Sequence, residues 1–447
     1  MTNFPSFRMR LFLAFWGLLW VVALPLILLY IRRRARKDAA YGQDLRQRFG
    51  LHSQRLRDTI WIHTVSIGEF RSAVPLIRAF LDQGETLVIT HFTPAGRRDI
   101  LKIFGAQIAE GRVVPVWVPF EYDLSFRLFF KAFRPRFGLV MEVEFWPRMI
   151  ASARKHGVPL FLCNGQYPSK SYARDKDRLR GQLVRGFAGV MIKNDVQADR
   201  FRALGVPDAA IRMTGEMRFD QPIASGLLTA ADALRNQWPG ARPAFTIASA
   251  VEGEDDLYLD AIARMLADAD AAGQPRPRVV YVPRAPERFD EVAQMIKARG
   301  WTVARRSEVL NADLSGEVPH DADILLGDSL GEMYFYLALT DRAVVGGGFT
   351  PKGAHNVIEP LALQRPVFVG PEIWTIEYPA LDAIKAGVLT QCADADALAQ
   401  ALAPSAPVPS ESQMTAFFET HSGGVARTLQ ALPGLLDHAR SQGITRR

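Results

Sequence analysis

Residues 342–371 read RAVVGGGFTPKGAHNVIEPLALQRPVFVGP, and this stretch decides the fold class of the chain. A short apolar run at Arg342–Val345 leads into three glycines, a polar turn and a predicted helix, and a second apolar run follows at Pro366–Val369. Strand, turn, helix and strand in this order predict a βαβ unit, which is the building block of a parallel sheet covered by helices.

The turn inside this unit has the chemistry of a ligand site. Three glycines at 346–348 let the backbone come close to a ligand, and His355, Asn356 and Glu359 lie at or near the start of the helix. Free N–H groups at a helix start suit a phosphate, and a carboxylate, which only accepts hydrogen bonds, suits a ribose diol. The pattern fits a nucleotide-sugar pocket, and the alternative interpretation is a tight turn with a polar cap.

Strands and helices alternate outward from this unit over most of the chain. The predicted strands are Thr59–Val65, Thr86–Thr90, Val113–Val118, Phe137–Met141, Pro159–Cys163, Gly189–Ile192, Ala244–Ser249, Val279–Val282, Asp323–Leu326, Arg342–Val345 and Pro366–Val369. The predicted helices include Ser72–Asp82, Leu124–Ala132, Arg148–His156, Asp255–Ala271, Arg288–Ala298 and Gly331–Leu339. This alternation predicts an α/β protein with parallel, doubly wound sheets.

The length of the chain and one interruption in the alternation of strands and helices indicate two such domains. Of the 447 residues of the chain, 48% are hydrophobic and 23% are charged, which is an ordinary globular composition. A chain of this length is too long for one typical domain. A polar connection near Arg218–Trp238, ending in Pro239, Gly240 and Pro243, interrupts the alternation. We therefore expect an N-terminal segment at residues 1–40, a Rossmann-like domain at 41–220 and a second one at 221–447. Ligands of such sheets bind at the carboxyl ends of the strands, which predicts a cleft shared by the two domains.

The N-terminal segment has the pattern of a membrane anchor. Leu11–Ile31 carries no charge and is long enough to cross a bilayer. Two cations precede it and five follow it, namely Arg8 and Arg10, then Arg32, Arg33, Arg34, Arg36 and Lys37. Because the more basic flank stays in the cytoplasm, we expect a single-pass anchor with the rest of the chain on that side. A cleavable signal peptide is the alternative, but its apolar core would be shorter and would end in a small-residue cleavage site.

The composition does not indicate a nucleic-acid-binding, zinc-binding or disulfide-rich protein. The formal net charge is +7, but part of this excess lies in the N-terminal segment, and the sequence has no zinc-ligand cluster, nucleic-acid motif or low-complexity tract. Nucleic acid is therefore not an expected partner. Cys163 and Cys392 lie far apart in different predicted domains, which is typical of buried thiols in a reducing compartment rather than of a disulfide framework.

Polar side chains follow several predicted strands. In the first domain, the strand Thr59–Val65 ends in Ser66, Gly68 and Glu69, and Glu69 is either a charge at a helix N-terminus or a general base. Glu142 and Glu144 follow the strand Phe137–Met141 and share one face of an extended chain, where they suit sugar hydroxyls or a basic partner.

Similar strand ends recur in the second domain. Ser249, Arg284 and the segment Gly331, Glu332 and Met333 each follow a predicted strand. Arg284 suits an anion, and the amides of Gly331–Met333 begin a predicted helix and suit a phosphate. Each signal is weak alone, because such loops often carry these residues as turns and caps.

A segment at 124–133 combines phenylalanines with basic side chains, namely Phe126, Phe129, Phe130 and Phe133 with Arg127 and Lys131, and Arg134 and Arg136 follow. A helix of this composition either dips into a membrane interface or packs in the core with a solvated face. The pattern leaves both interpretations open.

Together these motifs resemble the bacterial 3-deoxy-D-manno-octulosonic acid (Kdo) transferases, which are inner-membrane-anchored glycosyltransferases of the GT-B fold. The resemblance covers the chain from the anchor nearly to the C-terminus. It is specific because all of the motifs occur together and in the same order along the chain, whereas no single motif is specific. The matching segments are Gln47–Gly50, Trp61–Glu69 (family W-I-H-x-x-S-x-G-E), Thr93–Gly96 (T-P-x-G), Glu142–Pro147 (E-x-E-x-W-P), Asp328–Met333 (D-x-x-G-E-L, with Met for Leu) and Gly353–Pro360 (G-G-H-N-x-x-E-P, with Ala354 for Gly).

The resemblance implies a reaction of lipopolysaccharide biosynthesis. Kdo moves from CMP-Kdo to a hydroxyl of a lipid A precursor, with inversion and without a cofactor or bound metal. It makes Glu69 the catalytic base, and it places the nucleotide against Gly331, Glu332 and Met333, with Asn356 and Glu359 near the ribose. From the strand-end residues described above, we expect Ser249, Arg284 and His355 to complete the donor site. We expect Ser66, Gly68, Glu142 and Glu144 to support the acceptor side, and the catalytic domains to lie on the cytoplasmic face of the inner membrane.

Four loops depart from the family pattern. Ser249–Glu254 stands where the family has the motif S-T-H-x-G-E, and Pro283–Pro286 stands where it has P-R-H-P. Asn164–Pro168 replaces the family motif N-A-R-x-S, and Gly215–Asp220 replaces G-N-x-K-F-D. One Arg and two His are lost, and Arg284 and Arg218 are the candidates to compensate. Two alternatives therefore stay open: a GT-B transferase with another nucleotide sugar or lipid acceptor, and a non-catalytic membrane-anchored paralogue.

Overall fold

The computed structural model describes residues 4–237 and 242–445, so the predicted connector residues Trp238, Pro239 and Gly240 lie outside the described part. The chain forms two compact units. Unit 1 comprises Met1–Gln221 and Ser422–Arg447, and unit 2 comprises Pro222–His421.

Unit 1 is built on a parallel sheet of seven strands. The strands are β1 (Ile60–His63), β2 (Leu87–His91), β3 (Val113–Trp117), β4 (Phe137–Met141), β5 (Leu160–Gly165), β6 (Gly189–Ile192) and β7 (Ile211–Met213). They pair in the order β3-β2-β1-β4-β5-β6-β7, and the central strands are buried throughout. Near-continuous apolar strands are expected where helices cover both faces of a sheet.

Within the described residues, eight α-helices of unit 1 precede unit 2 in the chain. They are α1 (Phe7–Ala35), α2 (Ile67–Asp82), α3 (Pro94–Ala109), α4 (Asp123–Phe133), α5 (Pro147–Lys155), α6 (Ser169–Asp175), α7 (Leu179–Gln182) and α8 (Asp195–Ala203). Side-chain caps start several of them: Ser66 Oγ accepts from the amide of Glu69, and Thr93 Oγ1 accepts from that of Gly96. These caps satisfy amides that have no partner inside the helix.

The helix α1 is the only helix in the described residues that is long and apolar enough to cross a membrane. One side of it packs on unit 1. Trp16 Nε1 donates to Glu121 Oε2 (2.9 Å), and the Tyr122 hydroxyl donates to the Trp20 carbonyl (2.7 Å). The other side exposes an apolar stripe, which is formed by Phe7, Leu11, Phe15, Leu18, Val22, Leu26 and Leu29. An exposed apolar surface of this length is typical of a membrane-attached helix.

The helix α4 corresponds to the predicted aromatic and basic segment. Its four phenylalanines are at most 1% exposed and belong to the core of unit 1. Arg127, Lys131 and the following Arg134 are exposed. The aromatic face is therefore occupied by protein, and α4 is a core helix with a solvated basic face.

Unit 2 is built on a second parallel sheet. Its strands are β8 (Ala244–Ala250), β9 (Arg278–Pro283), β10 (Val303–Arg305), β11 (Ile324–Leu326), β12 (Arg342–Val345), β13 (Val367–Val369) and β14 (Leu389–Gln391). The strand order is β10-β11-β9-β8-β12-β13-β14. Its helices are α9 (Ser225–Asn236), α10 (Asp255–Ala271), α11 (Phe289–Ala298), α12 (Arg306–Val309), α13 (Met333–Ala338), α14 (Ile358–Ala362), α15 (Glu377–Lys385), α16 (Ala395–Leu402) and α17 (Glu411–His421).

The last helix, α18 (Gly424–Ser441), belongs to unit 1, whereas the sequence pattern assigned residues 221–447 to one domain. Its buried Leu432, Leu435 and Ala439 join the core cluster of the first sheet. Asp220 ties its start in place by accepting from the amides of Gly423 (2.5 Å) and Val425 (2.7 Å). The domain boundary therefore differs from the prediction, because the chain returns to unit 1 after unit 2 is complete.

Each unit contains one cysteine, and both are buried: Cys163 in β5 and Cys392 just after β14. Burial raises the pKa of the Cys163 thiol to about 12 and that of Cys392 to about 11. Both thiols therefore stay protonated at neutral pH, as expected for residues that only pack.

Candidate active site

Several candidate residues of each unit lie at the point where the strand order reverses. In unit 1, β1 and β4 are neighbours, and the loops after them carry Glu69 and the pair Glu142 and Glu144. In unit 2, β8 and β12 are neighbours, and the loops after them carry Ser249 and the three glycines. Ligands of open α/β sheets bind outside the carboxyl ends of strands at these switch points.

Glu69 is held by a reciprocal cap at the start of α2. Its Oε2 accepts from the amide of Val65 (2.7 Å), and its Oε1 accepts from the Ser66 hydroxyl (2.9 Å). The same hydroxyl accepts from the amide of Glu69 (3.2 Å). This arrangement is a variant of the capping box in which the carboxylate accepts from the amide of Val65, one residue before the N-cap Ser66. Ser66 and Glu69 therefore stabilise the helix start and also fix the carboxylate in one orientation. Gly68, between them in the chain, is exposed.

The electrostatic environment of Glu69 suits a proton acceptor. Burial raises the pKa of its carboxyl to about 7, the amide of Val65 opposes this shift, and the carboxylates of Glu144 and Glu142 raise the pKa further. The pKa of Glu144 is itself raised by burial. Perturbed carboxyls of this kind cluster at functional sites. The structure thus brings Glu69, Glu142 and Glu144 into one electrostatic cluster.

Aromatic side chains line this cluster. Trp146 Nε1 donates to Glu144 Oε2 (3.1 Å), and the Trp146 ring lies 5.6 Å from the rings of both His63 and Phe92. His63 is fully buried beside the Thr90 hydroxyl (2.8 Å), and burial lowers its pKa to about 3. His63 is therefore a neutral core residue that supports Trp146, not an acid or base.

A buried ion pair organises two of the loops that depart from the family. Lys193 Nζ lies 2.7 Å from Glu216 Oε2, and both side chains are inaccessible. Arg218 Nη2 also donates to Glu216 Oε2 (2.9 Å), and Asn164 Nδ2 donates to Oε1 (2.8 Å). Burial alone would raise the pKa of Glu216, but Arg218 and Lys193 hold it well below its usual range. Arg218 is thus engaged by Glu216, which does not support its expected role as a substitute anion ligand.

The glycine turn of unit 2 packs closely on the loop after β8. A Cβ at Gly346 would lie 2.4 Å from the carbonyl oxygen of Ser249, which is nearer than any side chain permits. The buried carboxylate of Glu254 accepts from the amides of Gly347 and Phe349, each at 2.7 Å. Ser249 itself adopts a left-handed conformation with a φ of 59°. Glycine is therefore required at 346 by this close approach, and Glu254 fixes the loop.

Three of the candidate donor residues follow this turn. The amide of His355 donates to the Gly346 carbonyl (2.9 Å), and Asn356 Oδ1 accepts from the amide of Ile358 (3.1 Å). Glu359 lies in the first turn of α14 and is partly exposed. Burial lowers the pKa of His355 to about 4, with a further contribution from Arg284 and Lys352. Arg284, which follows β9, is exposed.

The remaining candidates lie after β11. Gly331 is exposed, with a φ of 86°, and Met333 begins α13. Arg306 binds both carboxylate oxygens of Glu332, with Nε and Nη2 at 2.7 and 2.8 Å. The carboxylate of Glu332 is therefore engaged in an ion pair, and the amides of this segment, rather than that carboxylate, are the groups available to a phosphate.

Sequence reasoning missed several residues that shape the site. Glu254 lies in one of the candidate loops, but the sequence does not predict its burial against the glycine turn. The sequence gives no prediction for Arg306 and Lys193, because their partners lie 26 and 23 residues away along the chain. Paired arginines at 305 and 306, directly after the short apolar stretch Val303–Ala304, were the available signal. Among the described residues, no group of three or more His, Cys, Asp or Glu side chains is placed to hold a metal ion.

Comparison with known proteins gives concordant matches. A family model described as 3-deoxy-D-manno-octulosonic-acid transferase (kdotransferase) matches residues 43–221. The 3-deoxy-D-manno-octulosonic acid transferase of Bordetella pertussis is 38% identical over 91% of this chain and 96% of its own length. That of Haemophilus influenzae is 30% identical over 87% of this chain and 89% of its own length.

Solved structures agree with the two-sheet architecture. The plant protein UGT73P12 from Glycyrrhiza uralensis, complexed with glycyrrhetinic acid 3-O-monoglucuronide, superposes with a TM-score of 0.56. The match covers 87% of this chain and 97% of that one at 12% identity. A likeness at this identity concerns the fold alone, and with the two parallel sheets it confirms the expected GT-B fold.

Proposed function

The chain belongs to the 3-deoxy-D-manno-octulosonic acid (Kdo) transferase family and is a glycosyltransferase, and on this premise we propose that it moves Kdo from CMP-Kdo to a hydroxyl of a lipid A precursor. The observation that supports this proposal most directly is Glu69. Its carboxylate is fixed by a capping box at a switch point, and its pKa of about 7 suits proton transfer near neutral pH.

In the proposed step, Glu69 takes the proton of the acceptor hydroxyl while the oxygen attacks the anomeric carbon of Kdo. The bond between that carbon and the phosphate oxygen breaks, and CMP leaves with the electron pair. A single displacement of this kind inverts the anomeric centre. Glu142 and Glu144 support the acceptor side by accepting from sugar hydroxyls, with Ser66 and Gly68 completing the loop around the base.

The donor binds in the proposal at the switch point of unit 2. The glycine turn packs against the loops after β8 and β13 and so positions the segment that follows it. In the proposal, Asn356 and Glu359 of that segment bind the ribose diol. His355, Ser249 and the amides of Gly331, Glu332 and Met333 surround the phosphate. Arg284 is exposed, and it is the first of the cations that lower the pKa of His355. In the proposal its guanidinium meets the negative charge of the phosphate and of the sugar carboxylate, without a bound metal.

The location proposed for the reaction follows from α1. Its exposed apolar stripe attaches the enzyme to the inner membrane, and the five cations after Ile31 keep the two units on the cytoplasmic side. A lipid acceptor is found in that same membrane, so the attachment brings the enzyme to its substrate.

Transfer from CMP-Kdo to a lipid A precursor by the purified full-length chain tests the proposal. We expect Kdo to appear on the lipid and CMP to be released in equal amounts. UDP- and GDP-sugars serve as controls, since only the true donor should support transfer and raise the melting temperature. No transfer, together with no binding of CMP-Kdo by calorimetry, would contradict the proposal and favour a non-catalytic paralogue.

A further inference from the structure

Unit 1 contains a cavity of about 630 Å³ where the basic flank of α1 meets two strand-end loops. We call it the anchor-flank cavity. Its walls come from three parts of unit 1: the end of α1 with the segment after it (Arg34, Lys37, Asp38 and Tyr41), the loop after β1 (Ser66), and the loop after β2 with the first turn of α3 (Arg98).

The charges on these walls favour an anion. Arg98 pairs with Asp38, with 3.0 Å between Nη1 and Oδ2, and Arg34 donates to the Tyr41 hydroxyl at 2.7 Å. Lys37 has no carboxylate partner among the residues that the structure describes. Three cations thus face one carboxylate, so the cavity has two uncompensated positive charges to offer a ligand.

The position of the cavity connects the membrane segment with the candidate base. The apolar stripe of α1 ends close to Arg34, where the cavity begins. On the other side, Ser66 lines the cavity while its hydroxyl holds Glu69 Oε1 at 2.9 Å. A ligand in this cavity would therefore contact the lipid-proximal end of α1 and the loop that carries Glu69.

We propose that the anchor-flank cavity binds a phosphate group of the lipid acceptor, with Lys37, Arg34 and Arg98 as its cationic ligands. The proposal deepens the proposed function and rests on it for the identity of the acceptor as a lipid-linked sugar. A phosphate monoester carries close to two negative charges at neutral pH and matches the charge excess of the walls. In this role α1 is a part of the acceptor site and not only an attachment to the membrane.

The first test compares acceptors that differ only in phosphate. Full-length wild type, Lys37→Ala, Arg98→Ala and the double variant are assayed with CMP-Kdo and a lipid A precursor, either intact or phosphatase-treated. We expect the double variant to raise the KM for the intact lipid about tenfold with kcat nearly unchanged, because charge-assisted bonds are lost on an open wall. With the treated lipid, wild type and double variant should have the same KM.

Arg36→Ala is the matched control, since Arg36 lies on the same flank and is exposed but does not line the cavity. It should keep the KM of wild type for the intact lipid. An unchanged KM in the double variant would overturn the proposal. An equal rise in Arg36→Ala would also overturn it, because the effect would then come from the general charge of the flank.

A second test measures binding without transfer, in full-length Glu69→Gln. The intact precursor in nanodiscs of zwitterionic lipid should bind at least tenfold more tightly than the treated one, and Lys37→Ala with Arg98→Ala should remove the difference. Inorganic phosphate should displace the precursor only in large excess. Displacement at equal concentration, or equal affinity for anionic phospholipid nanodiscs without acceptor, would overturn the assignment to the acceptor. Failure of wild type to transfer Kdo would count against the proposed function alone, since this binding result does not depend on transfer.

Discussion

Glu69 combines a structural role and a chemical one in a single side chain. The sequence motif allowed both interpretations, a charge at a helix start or a general base, and the structure realises the first through the capping box. The raised pKa that supports the second interpretation depends on burial and on Glu142 and Glu144, which lie more than seventy residues away along the chain. Local sequence could therefore predict the helix cap but not the electrostatic environment.

Replacing Glu69 with Gln should separate these two roles. Gln also completes a capping box, so we expect the variant to fold and to bind donor as the wild type does. Loss of the base should lower kcat by about 10²–10⁴-fold. Single-turnover transfer with saturating donor and acceptor measures this effect, and a variant with normal transfer would contradict the assignment of Glu69 as the base.

The pH dependence of activity and of stability should change in opposite directions. Because the base must be ionised, kcat/KM of the wild type should rise with pH and level off above about 7. The folded state binds the Glu69 proton more tightly than the unfolded chain does, so stability should fall as pH rises from about 4.5 to 7. Thermal unfolding across this range measures the fall, and Glu69→Gln should reduce it. An equal fall in the variant would show that other groups cause it.

One residue-scale expectation was not supported. Arg218 was a candidate to replace the anion ligands that the altered loops lack, but it pairs with Glu216 beside the buried Lys193. Glu216 stands where the family motif G-N-x-K-F-D has Asn. The carboxylate of Glu216 and the guanidinium of Arg218 therefore pair with each other within this loop. Arg284 remains the exposed cation for the proposed donor site.

At the scale of elements, the sequence predicted every strand except three short ones at sheet edges, and the fourth edge strand, β3, was predicted one residue too long. The strands β4, β6 and β12 have the predicted bounds, since buried central strands are continuous apolar runs. The missed strands are β7, β10 and β14, each of three residues and each at a sheet edge. Only pairing with one neighbour makes them strands, and their sequences carry no pattern of their own.

The glycine turn after β12 gives a prediction at this scale. In Gly346→Ala, the added Cβ would press on the Ser249 carbonyl and separate the loops after β8 and β12. We expect a loss of about 1–3 kcal/mol in the free energy of unfolding and weaker donor binding. Calorimetry of unfolding and of CMP-Kdo binding measures both effects.

Gly226→Ala is the control for this variant, because nothing lies within 4 Å of a Cβ at Gly226. It should leave donor binding unchanged. If Gly346→Ala and Gly226→Ala behaved alike, the close approach of the two loops would not be needed for binding.

At the scale of the whole molecule, unit 1 is formed by two separate stretches of the chain, and unit 2 lies between them in sequence. The sequence alternation predicted two domains, but it placed the last helix with the second, since an amphipathic helix near a chain end carries no mark of the sheet it covers. Leu435 of α18 lies over Gly189 in β6, where an added Cβ would come within 2.8 Å of the leucine side chain. The absence of a side chain at 189 makes room for a helix that is more than two hundred residues away.

Leu435→Ala should therefore destabilise unit 1 although it lies far beyond that unit's last strand. We expect a loss of about 2–5 kcal/mol, as for other buried leucines, with amide exchange accelerated in β6 and unchanged in β12. The adjacent Leu436→Ala, where the side chain is only partly buried, is the control and should cost less. Faster exchange in unit 2 rather than unit 1 would contradict the placement of α18.

The two buried cysteines have a practical consequence for following the enzyme at work. Neither thiol is accessible or ionised at neutral pH, so an engineered exposed cysteine in each unit would be the preferred site for a maleimide dye. A donor and an acceptor fluorophore attached in this way, without removing either natural cysteine, would report by energy transfer whether adding CMP-Kdo or CMP changes the distance between the two labels.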